Sequence, residues 1–471
     1  MKKYDVVIIG AGTAGLSARK EVAKKTDNYV VVDGGTLGTT CARVGCMPSK
    51  VLIQAANDYH RRNSLLEQGI HGGEGLSVNT SEVLSHVRKL RDRFVRGVMS
   101  GFETWASDKL IKKYAKFSSK NTILIGDEEV EFDKAIIATG SSPIIPGPWT
   151  EFQSYFIDTN TFFELEELPE SIAVIGLGVI GIELGQALNR LGIKVFGIGM
   201  DTIAGVSDPK VKDYTIQTFS QEMQIDMSGV KKMSETNGKL NILTENGEYS
   251  VDKALVSVGR SPNLRSLELD KVIERFDRMP EFNSKTFQLR NAENIFIAGD
   301  VNGVAPILHE SADEGSIVGY FAVNGVNDCF ERRTPMGVTF SSPNIAYAGK
   351  KYSELISDGI DFEIGEVSYE GQGRAIVMLK EKGILRVYGS KKDNKLLGAE
   401  LIAPSGEHLA HLISWAIAAN MTVEQVLSLP FYHPVVEEGL RTALRDLVSK
   451  LSDTRDGLEL ARCSELDINK S

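Results

Sequence analysis

Cys41 and Cys46, five positions apart in "GTLGTTCARVGCMPSK", are the residues of this chain whose types and spacing best suit chemistry. The 471 residues contain only four cysteines, so a close pair just after an N-terminal glycine fingerprint needs a reason. A Cys-x4-Cys loop admits three readings. A zinc half-site would want two more cysteine or histidine ligands at motif spacing, and the sequence shows none, so no metal is expected. A disulfide staple closing so short a loop adds little to a cytosolic chain. A redox pair beside a nucleotide fold accounts for both the placement and the compartment. Its working species is a thiolate, which needs a base and a favourable field. Cys329 and Cys463 stand alone, outside any motif.

The elements that would position the pair surround it. "YDVVIIGAGTAGLSARKEVAKKTDNYVVVD" reads as a β-branched strand, Gly10-x-Gly12-x-x-Gly15, a helix, and a second strand ending at Asp33. In such a unit Gly10 allows the tight turn, Gly12 admits a pyrophosphate to the backbone and Gly15 lets helix pack on strand. The phosphates sit on the helix N-terminus, and Asp33 is placed to accept hydrogen bonds from a ribose. The grammar returns in "SIAVIGLGVIGIELGQALNRLGIKVFGIG", with Gly176, Gly178 and Gly181. Two fingerprints imply two dinucleotides, or one dinucleotide and a relic. The second copy closes its strand on Gly199 where the first has Asp33, leaving Asp201 as a substitute or nothing on that ribose. No arginine lies between Ile198 and Val206 to take a 2′-phosphate, and the third glycine is intact, which leans to NAD(H) over NADP(H).

Length and charge bound the rest. A 51.5 kDa chain is too long for one core, which implies two to four domains. A net charge of −10 and short basic clusters argue against a nucleic-acid partner, because phosphate binding needs clustered cations. The apolar run "VVII" near the N-terminus is too short for a signal peptide, and no stretch is long and apolar enough for a membrane span. The expected location is cytoplasmic, where most thiols stay reduced.

"GTTCARVGCMPSK" resembles the signature of the class I pyridine nucleotide–disulfide oxidoreductases, the family of dihydrolipoyl dehydrogenase, glutathione reductase and mercuric reductase. The resemblance continues in order through "AIIATGSSP", the second fingerprint, "VSVGRSPN", "NIFIAGDVNG", "APILHESADEG" and "FYHPVVEEGL". It implies an α/β fold: two Rossmann-like dinucleotide-binding domains plus a C-terminal α+β dimerisation domain. The expected division is a discontinuous FAD-binding domain over 1–148 and 261–333, an NAD-binding domain over 149–260 and an interface domain over 334–471. A helical hairpin, including a helix over 79–110, interrupts the first.

The implied cofactors are FAD and NAD, and the implied roles follow residue by residue. Cys41 is the interchange thiol and Cys46, on the flavin side, the charge-transfer thiol. His433 is the base and Glu438 its partner, reaching back from a helix begun at 433–436. The dyad comes from the second subunit of a homodimer. Lys50 and Glu183 form the ion pair beside the flavin. Gly38, Thr40, Thr139, Gly140, Gly259, Arg260, Gly299 and Asp300 join the two fingerprints as cofactor-binding residues, Asp300 on the ribityl chain.

The implied substrate is a small dithiol or disulfide, or a lipoyl group on a carrier domain. Val179, where glutathione reductases carry tyrosine, and the lone Cys463, where mercuric reductases have a pair, leave dihydrolipoyl dehydrogenase as the most similar member. The alternative is an NAD(P)H-dependent reductase of another low-molecular-weight disulfide. Three residues depart from the pattern: Thr39 replaces a glycine, Phe431 a histidine and Gly199 an acid. The C-terminal tail from Asp453 fits no motif and is expected to be loosely attached.

Overall fold

The computed structural model describes residues 1–274, 279–451 and 458–460; the tail expectation and Cys463 lie outside them. The N-terminal strand, Lys2–Ile9, is buried along Val6–Ile9, as a continuous apolar run must be when both faces of a parallel sheet are covered. It pairs in parallel with Tyr29–Val32 on one side and Glu128–Ile137 on the other. The sheet continues outward to Ala292–Ile297 and Leu110–Ile111, so strands from 2–137 and from beyond residue 287 build one layer.

Gly10 turns the chain from strand to helix at φ +112°, and a Cβ there would lie 2.2 Å from the Ala138 carbonyl oxygen. The helix Thr13–Val22 follows and is crossed at close range by the helix Leu308–Asn324. A Cβ on Gly315 would sit 2.2 Å from the Ala14 carbonyl oxygen, so only a bare backbone permits this approach.

A second parallel sheet runs in the order Gln224–Asp226, Lys194–Ile198, Ser171–Ile175, Lys253–Val256, Phe156–Ile157, with the helix Val179–Arg190 following the strand Ser171–Ile175. An antiparallel three-stranded sheet over 232–251 lies beside it. Its first hairpin turns on Asn237-Gly238, both at positive φ, the pair that a two-residue turn favours. Ser141–Pro143 and Arg260–Pro262 pair to form the ribbon joining the two nucleotide-type units.

From Met336 the chain builds a five-stranded antiparallel sheet with Asn344–Gly349, Leu396–Ala403, Ile384–Ser390 and Phe362–Ser368. The helices Gly406–Ala418 and Glu438–Leu451 pack on it. The helix Gly406–Ala418 stops before Asn420, φ +54°, and helix resumes at Val423 under a Thr422–Gln425 capping box. The expected hairpin consists of the helix Cys46–His60 and the helix Thr80–Glu103, capped by Asn79; the second helix ends at Glu103 rather than 110, since Leu110–Ile111 is a strand of the first sheet. Leu52, Ile53 and Ala56 of the former share one apolar core with Ile182 of the second unit and Ile345 and Ile402 of the C-terminal sheet. The helix that begins at Cys46 therefore sits where all three units meet.

Candidate active site

The first fingerprint folds as its sequence requires. Gly12 caps the helix Thr13–Val22, and a Cβ there would meet nothing within 4 Å, so the helix N-terminus opens onto free space. Gly15 packs against the turn, with its would-be Cβ 1.9 Å from the Gly10 carbonyl oxygen. Asp33 ends its strand with Oδ2 accepting from the Ala11 amide at 2.7 Å and Oδ1 from Gly35 at 2.8 Å. The acid is thus anchored on the loop it serves.

The second copy repeats this: Gly176 has φ +96°, the space around Gly178 is open, and Gly181 would place a Cβ 2.0 Å from the Gly176 carbonyl oxygen. At Gly199 the two copies part. A Cβ there would lie 2.8 Å from Met227 Sδ and 3.1 Å from Leu177, so the methionine occupies the ground an acid would need. Asp201 is exposed, and its carbonyl accepts from Lys212. Each glycine turn accommodates a pyrophosphate: helix amides on one side, no side chain in the way.

Cys41 lies in the short helix Thr40–Val44, which Thr40 opens after Gly38, and Cys46 begins the helix Cys46–His60. Both are free thiols. They titrate as a pair. The hydrogen bond from the Cys41 thiol stabilises the Cys46 thiolate; burial opposes it, and the Lys50 charge assists, giving a Cys46 pKa pulled down to about 7. Cys41 moves the opposite way, held protonated first by that bond and then by burial.

Lys50, one turn along the helix from Cys46, places Nζ 2.8 and 3.0 Å from the two Glu183 carboxylate oxygens. Glu183 is 4% exposed, and its Oε1 also accepts from the Phe340 amide at 2.8 Å. A buried carboxylate so satisfied holds the ammonium in place.

His433 and Glu438 are paired, Nδ1 lying 3.0 and 3.1 Å from the carboxylate oxygens. Glu438 is held below the usual carboxylate range first by this hydrogen bond. The helix starts at Glu438 rather than at 433–436, so the acid reaches back from a first turn and also accepts from the Val435 amide at 3.2 Å. The His433 ring bonds to Glu438 rather than to either thiol of its own chain, and its side chain is 80% exposed.

The remaining expected residues meet at the ribbon between the nucleotide-type units. Asp300 accepts from Ser141 Oγ at 2.9 Å and from Ser311 Oγ at 3.1 Å. Arg260 donates to Ser141 Oγ at 2.8 Å and to its carbonyl at 2.6 Å. Thr139 Oγ donates to the Asn263 carbonyl at 2.7 Å, Gly140 leaves open space at φ +68°, and the Gly259 carbonyl accepts from Ile144. Two working residues escaped the sequence reading. Asn263 returns a bond to the Thr139 carbonyl at 3.0 Å. Buried Glu314 accepts from the Gly299 amide at 2.7 Å and the Asn302 side chain at 2.6 Å, and pairs with Arg332, fixing the turn that presents Asp300. Both lie in motifs noted above, but only their buried contacts separate them from surface polar residues.

Two dinucleotide-type turns and a thiol pair, with the helix Cys46–His60 packed on the helix Val179–Arg190, are the parts of a nucleotide-dependent disulfide oxidoreductase. The chain belongs to the pyridine nucleotide-disulphide oxidoreductase family, whose main description matches residues 4–315 and whose dimerisation domain matches 336–444. It is thereby an FAD-dependent member. It is 26% identical to a mercuric reductase of Acidithiobacillus ferrooxidans, over 98% of this chain and 85% of that one. It is 28% identical to a dihydrolipoyl dehydrogenase of Geobacillus stearothermophilus, over 92% and 94%. In fold it is similar to the HOCl-induced flavoprotein disulfide reductase RclA of Escherichia coli, solved as a Cu(II) complex (TM-score 0.82, 22% identity, 96% and 100% coverage). Among the described residues no helix is long and apolar enough to cross a membrane, and no cluster of metal-ligating side chains is present.

Proposed function

We propose that this protein is a dihydrolipoyl dehydrogenase: a homodimer that oxidises a dihydrolipoyl group, free or on a carrier domain, with NAD+ through FAD and the Cys41–Cys46 disulfide. The observation that carries the choice of substrate is the cleft at Cys41. Its wall is Leu16, Ala42, Met47, Phe94, Val98 and Leu308, and its polar members, Thr13, Ser17 and Thr39, are uncharged. An aliphatic dithiol suits such a cleft. A glutathione-type disulfide brings carboxylates, which would lose water there without a cation in return.

The residues divide the work as follows. A substrate thiolate attacks Cys41 Sγ of the disulfide, the S–S bond breaks, and Cys46 leaves as the better leaving group, its thiolate being the more stable of the pair. The second substrate sulfur then attacks the mixed disulfide, closing the substrate disulfide and releasing Cys41 to take a proton. The partner subunit's His433 accepts the proton from each substrate thiol, with its Glu438 stabilising the imidazolium. Lys50 supplies a fixed positive charge, and Glu183 keeps it in place. Bound FAD supplies the two-electron relay from the dithiol to NAD+.

A comparison of kcat/KM for dihydrolipoamide with NAD+ against glutathione disulfide with NADPH tests the assignment. Dihydrolipoamide is expected to win. A faster rate with glutathione disulfide would establish the alternative, a reductase of another small disulfide, which the missing acid at Gly199 also leaves room for.

A further inference from the structure

The helix Val179–Arg190 carries three buried polar side chains in one row, Glu183, Gln186 and Arg190, each under 9% exposed. Their spacings of three and four place them on one face. Gln186 grips the backbone of Ser342, its Oε1 accepting from the amide at 2.9 Å and its Nε2 donating to the carbonyl at 2.9 Å, and Nε2 also donates to Glu222 at 3.2 Å. Arg190 donates to that same carbonyl at 2.9 Å, to Asn57 Oδ1 at 2.5 Å, and through two nitrogens to Glu222 at 2.7 and 2.8 Å. Glu183 holds Lys50 and the Phe340 amide.

Lys50 and Asn57 are seven residues apart on the redox helix, so they share its face. The two helices are therefore tied at both ends, and the 340–342 segment of the C-terminal unit lies along the seam. Lys50 Nζ also sits 4.7 Å from the centroid of the Phe340 ring.

We propose that Gln186 and Arg190 are positioning residues for the redox centre: by fastening Ser342 they hold the Phe340 amide on Glu183, and so fix the Lys50 ammonium beside the thiols. Lys50 hangs on a flexible four-carbon stem and is 31% exposed, so its place depends on the carboxylate that grips it. Glu183 in turn is oriented by a peptide group from a different unit of the molecule. The seating of the C-terminal unit is thus read out at Cys46. The inference rests on Cys41 and Cys46 being the redox pair.

Gln186→Met and Arg190→Met keep volume and helix preference while removing the bonds to Ser342. In reduced holoprotein, the iodoacetamide alkylation rate of Cys46, followed by peptide mass spectrometry, reports the field at the thiol, whose charged and titratable surroundings are Cys41, Lys50 and Glu183. At pH 7 the rate is expected to fall about two- to three-fold, the effect of a unit charge receding about 1 Å at an effective dielectric near 20. The long-wavelength absorbance after two-electron reduction should weaken with it.

Asp208→Asn is the control. It loosens the second and C-terminal units at another contact, the Arg386–Asp208 pair at 2.5 and 2.7 Å, and should lower the melting temperature without changing the thiol. Wild-type thiol reactivity and absorbance in Gln186→Met overturn the proposal, as does an equal change in Asp208→Asn. Should Arg190→Met fail to fold, Gln186→Met decides alone. A wild-type protein lacking the long-wavelength band altogether would instead overturn the redox-pair reading.

Discussion

A thiol pair that shares one proton has a direction built into it. Cys46 carries the negative charge because Cys41 donates to it and Lys50 stands nearby, while Cys41 is kept protonated in the resting reduced state. The pKa of Cys46 is depressed, so its thiolate persists to lower pH than an ordinary thiol's and is lost as pH falls through about 7. Alkylation of Cys46 in the reduced protein should therefore rise with a midpoint near that value. Cys41→Ala removes the largest cause of the depression, so the midpoint should move up; a titration unchanged by that substitution would show that Lys50 and the backbone amide set the charge without Cys41. The same asymmetry fits Cys46 as the leaving sulfur and Cys41 as the one a substrate meets, since Cys41 lines the apolar cleft.

Thr39, which precedes the short helix bearing Cys41, has φ +60° and ψ +147°, a conformation that favours glycine. Its Oγ caps the helix by accepting from the Ala42 amide at 3.3 Å. Strain of this kind costs about 1–3 kcal/mol, whereas replacing a threonine cap with glycine loses only about a few tenths. Glycine's own chain entropy takes back about 0.5–1 kcal/mol. Thr39→Gly should thus stabilise the protein by about 1 kcal/mol, read as a higher denaturation midpoint; a lower midpoint would mean that the cap and glycine's chain entropy together outweigh the strain.

The contrast between Thr39 and its neighbours shows what the sequence could and could not disclose. Glycine spacing, strand runs and a terminal acid are local patterns, so both nucleotide turns and the Asp33 anchor were legible from residue types alone. Thr39 was visible only as a departure from a pattern, and its backbone strain was not. Glu314, Asn263 and Gln186 gave no signal because their significance lies in burial against residues distant in the chain. The start of the last helix at Glu438 lies a few residues beyond where the sequence points, since the turn at 433–437 carries no breaker beyond Pro434.

At the scale of the whole molecule, the geometry leaves His433 and Glu438 together on the surface of the C-terminal unit, while the thiols lie in the first unit. With residues 336–444 matching a dimerisation domain, the proposed site takes its thiols from one subunit and its base from the other. The Cys41→Ser chain lacks the sulfur that the substrate thiolate attacks and should be inactive, and His433→Gln should slow thiol exchange by about 10²–10⁴-fold, the usual reach of acid–base catalysis. A mixed dimer of the two variants has one site with both lesions and one with neither. Equal amounts unfolded together and refolded with FAD should form mixed dimers in about half of all cases, each with one intact site, and so regain about a quarter of wild-type activity. If the base instead served the thiols of its own chain, every site in the mixture would carry one lesion and activity would stay at the level of the separate variants. Mixing without unfolding should restore nothing until subunits exchange, which makes the rate of recovery a measure of how tightly the C-terminal units hold the two active sites together.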